Sequence, residues 1–180
     1  MQVPALAREA GAEVPFMRAP ELSDDHTTTL AVIADALHRV EEAGAEVEAL
    51  CCLYATAPFV TAQDLDAAYG RLEESGASYV FAAAEFPYPI QRALRLVDGR
   101  ARMFHPEHIT TRSQDLEPAF HDAGQFYWCR PEAVRAGIPV LGPATAPYLV
   151  DRARVQDIDT RDDWAFAEKL FALMQQEKTT

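Results

Sequence analysis

The chain has 180 residues, of which 49% are hydrophobic, so residues 1–180 are enough for one domain with its own buried core. A formal net charge of -12 excludes a protein that follows nucleic-acid phosphates through a basic surface. The sequence contains no apolar run of about 18 residues, which excludes a membrane-spanning helix. Its three cysteines indicate free thiols in a reducing cytoplasm.

The charge is unevenly distributed along the chain. Residues 1–90 hold four arginines against fifteen acidic residues, whereas residues 91–121 hold five arginines against four acidic residues, together with three histidines. A solvated hairpin of alternating charge would explain this basic segment. A pocket for an anionic small molecule would explain it equally well, because guanidinium groups bind carboxylates and phosphates through two hydrogen bonds.

The first half of the chain alternates between predicted helices and strands. Helices are predicted over residues 3–10, 28–43 and 62–75, and strands over residues 13–17, 47–54 and 78–85. Ser23 or Asp24 is the predicted N-cap of the second helix, and Thr61 that of the third. The nearly continuous apolar run at 47–54 is typical of a strand that is covered on both faces, as in a parallel sheet.

The second half begins with an insertion at about residues 91–105. Asp98 and Gly99 form a strong two-residue turn signal, which predicts an antiparallel hairpin. Residues 105–123 lack a period and are predicted to form a loop with one helical turn near Asp115. Strands at 125–129 and 148–150, a helix at 132–136 and a final helix capped by Thr160 follow. This alternation predicts an α/β domain with a mostly parallel sheet.

Three segments follow predicted strands and are expected to meet at one edge of the sheet, residues 54–58, 85–92 and 157–160. Ligands bind at this edge in open α/β sheets. Asp157 and Asp159 are one residue apart, so both carboxylates can point the same way and share Mg²⁺. The same two acids also suit the start of the final helix, where they would act as a cap.

Six segments resemble the acylneuraminate cytidylyltransferases in order and spacing, residues 11–18, 21–25, 51–59, 111–115, 121–127 and 157–160. The resemblance covers nearly the whole chain and implies a Rossmann-like nucleotidyltransferase fold. Within the family, the Tyr-Ala-Thr-Ala-Pro run at 54–58 and the segment 86–92 are most similar to the branch that activates pseudaminic acid.

The resemblance implies that CTP and a nine-carbon 2-keto sugar acid react to give a CMP-sugar and pyrophosphate, with Mg²⁺ as cofactor. It places the metal on Asp157 and Asp159 and the sugar carboxylate on Arg112, so Asp159 and Arg112 are the expected catalytic residues. The other expected substrate contacts are Tyr54, Ala55, Thr56, Ala57, Gln91, Arg92, Gln114, His121 and Tyr127. A homodimer is implied as well, because family members commonly dimerise.

Family members begin with a strand and a glycine-rich basic loop that binds the CTP phosphates, and this chain is expected to be N-terminally truncated relative to them. One strand edge of the sheet would then be open. An inactive chain that binds only the sugar acid or a partner subunit is an alternative hypothesis. A cytidylyltransferase for another nonulosonic acid, sialic or legionaminic, is a second alternative.

Overall fold

The structure, a computed structural model, describes residues 3–24 and 26–177. Asp25, which ends the matched segment 21–25, lies outside them. The helices are α1 Val3–Glu9, α2 Thr29–Glu42, α3 Ala62–Ser75, α4 Pro131–Arg135 and α5 Arg161–Glu177. The strands are β1 Leu50–Leu53, β2 Tyr79–Glu85, β3 Leu94–Val97, β4 Arg100–Met103, β5 Phe120–Cys129 and β6 Thr145–Leu149. The predicted α/β class is therefore confirmed.

The central sheet has four strands in the order β1, β5, β2, β6. β6 runs parallel to β2, while β5 lies between β1 and β2 and is antiparallel to both. Three of these four strands thus point in the same direction, as the prediction of a mostly parallel sheet requires, and β5 is the exception. The separate pair β3 and β4 is the predicted antiparallel hairpin, with its turn at Asp98 and Gly99.

Helices cover both faces of the central sheet. Successive side chains of a strand point to opposite faces. Val80 and Ala82 of β2 accordingly pack against Leu72 of α3 on one face. Tyr79 of β2 packs against Ile33 of α2 on the other face, where α4 also lies. This burial on two sides explains why β1 and β2 are nearly continuous apolar runs in the sequence.

The predicted cap of α2 is wrong. The helix is capped by Thr28, whose hydroxyl oxygen accepts a hydrogen bond from the N–H three residues later, and neither Ser23 nor Asp24 serves. The Asp24 carboxylate instead accepts hydrogen bonds from the backbone N–H groups of His26 and Thr27, at 2.9 and 2.7 Å. These bonds close a turn ahead of α2, so the helix begins only at Thr29.

The predicted strand at residues 13–17 is also wrong. A strand requires a neighbour to satisfy its backbone groups, and no strand among the described residues pairs with this segment. The segment instead lies near α2, where the Arg39 guanidinium stands 5.5 Å from the centre of the Phe16 ring. This cation–π contact holds the segment without a strand ladder.

β5 begins earlier than predicted, at Phe120 instead of Gln125. Phe120 pairs with Glu85 and continues the ladder beyond a register shift in the β2–β5 pairing. The loop before β5 contains two 3-10 turns, Pro106–His108 and Ser113–Asp115, and the second is the helical turn predicted near Asp115.

β1 forms one edge of the central sheet, because within the described residues it pairs with β5 alone. β6 forms the other edge, since among the described residues it pairs with β2 alone. Within the same residues, no helix is both long enough and apolar enough to cross a bilayer.

Candidate active site

The carboxyl ends of β1 and β2 lie at the same edge of the sheet as the loop that precedes α5. One cavity of about 350 Å³ joins Thr56, just after β1, to Ile158 in that loop. A second cavity of about 360 Å³ joins Glu85 and His121 to Arg152. The first cavity therefore joins the segments 54–58 and 157–160, and the second brings the start of the segment 85–92 to residues 152–155, just before Asp157.

The carboxylates of Asp157 and Asp159 are exposed and do not cap α5. Thr160 caps the helix: its hydroxyl oxygen accepts a hydrogen bond from the Asp163 N–H, and the Asp163 carboxylate accepts one from the Thr160 N–H at 2.8 Å. Hydrogen bonds from the Thr160 hydroxyl and backbone lower the pKa of Asp163. Because Thr160 and Asp163 cap the helix, the carboxylates of Asp157 and Asp159 are available for another role.

The two carboxylates fit a magnesium ion better than a metal held by protein ligands alone. Within the described residues, no group of three or more histidine, cysteine, aspartate or glutamate side chains could hold a metal. Among the same residues, no group donates a hydrogen bond to the side-chain carboxylate of Asp157 or to that of Asp159. Mg²⁺ is commonly bound by one or two carboxylates, with water and substrate phosphates completing its shell.

A distortion of β5 brings Asp157 close to the sheet. The β2–β5 register shifts between Phe81 and Ala83 of β2, and Gly124 lies in the extra length of β5 with φ +62°. A Cβ atom at Gly124 would lie 3.6 Å from the Asp157 carboxyl carbon. The Asp122 carboxylate accepts a hydrogen bond from the Gly124 N–H at 2.9 Å and stabilises this conformation.

Two predicted sugar contacts, Tyr54 and Tyr127, pack together on the α2 face of the sheet, with their ring centres 5.6 Å apart. The Tyr127 hydroxyl donates to the Asp122 carboxylate, and burial together with this carboxylate raises the pKa of Tyr127. The Tyr54 hydroxyl shares a hydrogen bond with Thr29 at 2.9 Å. Ala57 closes a turn by donating its N–H to the Tyr54 carbonyl. Both tyrosine hydroxyls thus have protein partners.

The segments that carry Gln91 and Ser113 lie side by side. The Gln91 side-chain amide donates to the Glu117 carbonyl at 3.0 Å, and Arg92 donates to the Ser113 hydroxyl at 3.3 Å. The carbonyl oxygen of the Gln91 side chain is buried and accepts no hydrogen bond within the described residues. A cavity of about 440 Å³ opens beside Arg92 and Tyr88. Its lining is mainly apolar, and Arg92 and Ser113 contribute polar groups to it.

Arg112 is exposed and already paired in this structure. Its guanidinium donates to both oxygens of the Asp115 carboxylate, at 2.7 and 3.0 Å. Gln114 is exposed beside it. His121 lies at the β2 end of the site, with its ring edge-on to Phe86 at 4.9 Å between centres. The predicted substrate contacts thus fall into three groups: the two tyrosines on the α2 face, residues 55–56 in the cavity with Ile158, and the residues along 86–121.

No protein-family model matches the chain. It is 38% identical over 167 residues to the pseudaminic acid cytidylyltransferase of Campylobacter jejuni, and this match covers 92% of the chain and 72% of the relative. The chain belongs to the pseudaminic acid cytidylyltransferase family. More distant members of the wider group are also similar to it, among them the CMP-N,N'-diacetyllegionaminic acid synthase of Legionella pneumophila, at 25% identity over 97% of the chain and 76% of the relative.

A solved structure supports the fold assignment independently. The CMP:2-keto-3-deoxy-manno-octonic acid synthetase in complex with CTP matches with a TM-score of 0.60, over 97% of this chain and 77% of that one. Because the identity is 16%, this likeness establishes the shared fold alone. The nucleotidyltransferase fold expected from the resemblance is confirmed.

The ion pair between the buried Asp64 and the partly exposed Arg154 was not predicted from the sequence. The spacing of Thr61 and Asp64 identifies a capping box, so the position of Asp64 on α3 is readable from the sequence. Its partner Arg154 is 90 residues away, and no local pattern indicates that pairing. The predictions also omitted Arg152 and Glu85, which line the cavity beside His121.

Proposed function

We propose that the chain transfers CMP from CTP to pseudaminic acid with release of pyrophosphate. The observation that carries the proposal is the pair of exposed carboxylates, Asp157 and Asp159, which do not cap α5 and which flank Ile158 in the cavity after β1. Support comes from the Campylobacter relative, which is a pseudaminic acid cytidylyltransferase. The locally basic segment at 91–121 supports an anionic substrate.

In this reaction the anomeric hydroxyl oxygen of the sugar forms a bond to the α-phosphorus of CTP. The bond from that phosphorus to the pyrophosphate oxygen breaks, and the hydroxyl proton is released to water or a base. Both substrates are anions, so the protein contributes mainly by holding them in line and compensating their negative charge. Arg92 and Arg112, beside the end of β2, are proposed to do this for the sugar acid.

We propose Mg²⁺ as the cofactor, held by Asp157 and Asp159. When bound, the ion would withdraw charge from the α-phosphate and so stabilise the transition state. Asp157 and Asp159 would hold it at the sheet edge, and Gly124 leaves room for the Asp157 carboxylate against β5. Exposed carboxylates suit this role because the substrate phosphates and water must complete the metal shell.

Replacing Arg112 is expected to weaken binding of the sugar acid selectively. Arg112→Gln should raise the KM for pseudaminic acid about tenfold, because a charge-assisted hydrogen bond to its carboxylate is lost, and leave the KM for CTP unchanged. Steady-state kinetics with each substrate varied in turn measures both constants. Arg71→Gln is the matched control, since it removes the same charge from an exposed position on α3, outside the basic segment 91–121. Equal increases in both KM values would contradict the role of Arg112.

Replacing Gly124 is expected to disturb Asp157. Gly124→Ala should lower the free energy of unfolding by about 1 kcal/mol, because alanine is strained at positive φ. It should also weaken Mg²⁺-dependent turnover, because the new methyl group would lie in van der Waals contact with the Asp157 carboxylate, at 3.6 Å, and exclude water from that side of the proposed ligand. Gly99→Ala carries similar backbone strain at φ +72° but meets open space. Urea unfolding and turnover of the two variants should therefore agree in stability loss and differ in activity.

The identity of the sugar is tested by competition. The protein is incubated with CTP, Mg²⁺ and an equimolar mixture of pseudaminic, neuraminic and legionaminic acids. The CMP-sugars that form are separated, identified and quantified by mass spectrometry. The proposal predicts that CMP-pseudaminic acid dominates. Predominance of another CMP-sugar would reassign the substrate, and absence of any product from folded protein would favour the alternative of a chain that binds sugar acid without turnover.

We infer that the protein works as a homodimer. Leu94 and Leu96 of β3 are 61% and 81% exposed, and Phe104 after β4 is 55% exposed, so the hairpin presents an apolar surface. Such a surface supports association with a second copy. Light scattering on the purified chain should give twice the mass of one chain, and a monomer across the concentration range would contradict the inference.

We infer a cytoplasmic location, with CTP and the sugar acid as partners and neither nucleic acid nor a membrane among them. Cys51, Cys52 and Cys129 are all free thiols. Burial raises the pKa of Cys51 and of Cys129 to about 12, so both stay protonated and unreactive. The net charge of -12 supports the inference that nucleic acid is not a partner, because the chain would repel its phosphates.

A further inference from the structure

The carboxylate of Asp64 is buried, with 4% of the residue exposed, and it is fully partnered. The two terminal nitrogens of Arg154 donate to its two oxygens at 2.7 and 2.8 Å. The Thr61 hydroxyl donates at 2.6 Å and the Tyr148 hydroxyl at 3.3 Å. Arg154 is therefore attached to the start of α3 by a planar contact that fixes direction as well as distance.

The main chain of Arg154 is held as firmly as its side chain. The Gln125 side-chain amide donates to the Arg154 carbonyl oxygen at 2.7 Å, and Gln125 is only 4% exposed. Gln125 is the neighbour of Gly124, against which Asp157 lies. The loop is thus fastened to α3 and to β5 immediately before the two carboxylates.

The distance along the chain is short. Two residues, Val155 and Gln156, separate Arg154 from Asp157, and the three residue steps between them span at most about 11 Å. A displacement of Arg154 is therefore transmitted directly to Asp157, and through it to Asp159.

A buried ion pair is a weak source of stability, because two apolar side chains of similar volume often stabilise a fold equally well. What a bidentate pair adds is a fixed orientation, and groups behind metal ligands commonly set metal affinity in this way. We propose that the Asp64–Arg154 pair is a positioning device that orients Asp157 and Asp159 for the metal. This inference rests on the proposed function.

The test measures binding of Mn²⁺ alone, as a paramagnetic substitute for Mg²⁺, by electron paramagnetic resonance. Arg154→Lys keeps the positive charge but loses the bidentate contact, and we expect its dissociation constant for Mn²⁺ to rise about tenfold while the protein remains folded. Hydrogen exchange of the amides at residues 155–160 should accelerate in the same variant. This second readout does not depend on metal.

The matched control is Arg130→Lys. Arg130 donates to the backbone carbonyls of Ala77 and Leu72, at 3.0 and 2.7 Å, at the opposite end of the sheet. The Arg130→Lys substitution should lower the thermal midpoint of the protein without changing its affinity for Mn²⁺. Should Arg154→Lys itself prove unfolded, the double variant Asp64→Asn with Arg154→Met removes both charges and the bidentate contact but keeps an acceptor for Thr61, and it should show the same loss of Mn²⁺ affinity.

If folded Arg154→Lys binds Mn²⁺ with unchanged affinity and its amides at 155–160 exchange hydrogen at an unchanged rate, the positioning role is overturned. The metal assignment of Asp157 and Asp159 would not be affected by that result. An equal loss of affinity in Arg130→Lys would also overturn it. If the unaltered chain shows no Mn²⁺ binding that depends on Asp157 and Asp159, the metal assignment of the proposed function fails, and the positioning role fails with it.

Discussion

Asp159→Asn is expected to lower Mg²⁺-dependent pyrophosphate release by at least about 100-fold, because it removes one of the two carboxylates proposed to hold the ion at the α-phosphate. The fold should survive. The Asp159 carboxylate is exposed and accepts no hydrogen bond within the described residues, so its loss should barely change the free energy of unfolding. Release of pyrophosphate and urea unfolding of the same preparation measure the two quantities.

Asp162→Asn provides the control for this variant. Asp162 is exposed in the first turn of α5, so the substitution removes an equal charge from the same region without touching the pair. Its turnover should match that of the unaltered chain. If Asp159→Asn keeps full turnover, the two carboxylates are not metal ligands and the account of the site is wrong.

Arg154→Met is expected to lower the free energy of unfolding by about 3–5 kcal/mol, because it leaves the buried carboxylate of Asp64 without its charged partner. The double variant with Asp64→Asn should recover part of this loss, since no buried charge remains and the amide oxygen can still accept the hydrogen bonds from Thr61. Urea unfolding of both variants gives the comparison. By contrast, Glu41→Gln, which breaks the exposed pair with Arg135, should have little effect.

The same pair makes stability depend on pH in a defined direction. The Arg154 guanidinium, assisted by Thr61, holds the pKa of the Asp64 carboxyl below its ordinary value of 3.8. Because the pKa is lower in the folded chain than in the unfolded one, the stabilisation is fully present above about pH 4 and is lost as the pH falls further. Asp64→Asn should lack this part of the acid sensitivity, and superimposable pH profiles of the two proteins would contradict the explanation.

Much of the fold is readable from local sequence patterns. The hairpin turn is predictable because an Asp-Gly dipeptide tolerates the positive φ that such a turn requires at both central residues. Asp98 and Gly99 both adopt positive φ in the structure. The start of α3 at Thr61 follows from its capping box. The strand predicted at residues 13–17 fails for the opposite reason, since a strand is defined by a partner that its own sequence does not reveal.

The site is readable where its residues are close in the sequence and obscure where they are not. Asp157 and Asp159 stand out in the sequence because one residue separates them. Only the structure shows that Thr160 and Asp163 cap α5, so that Asp157 and Asp159 do not. The contact between Gly124 and Asp157 depends on a register shift inside β5, which periodicity cannot locate. Such contacts depend on tertiary packing.

The most direct test of the central claim is pyrophosphate release by the purified, folded chain with CTP, Mg²⁺ and pseudaminic acid, run beside neuraminic acid. We expect release that requires Mg²⁺ and is faster with pseudaminic acid. No release above the rate without sugar, from a chain shown to be folded by circular dichroism, would contradict the claim that this chain is a cytidylyltransferase.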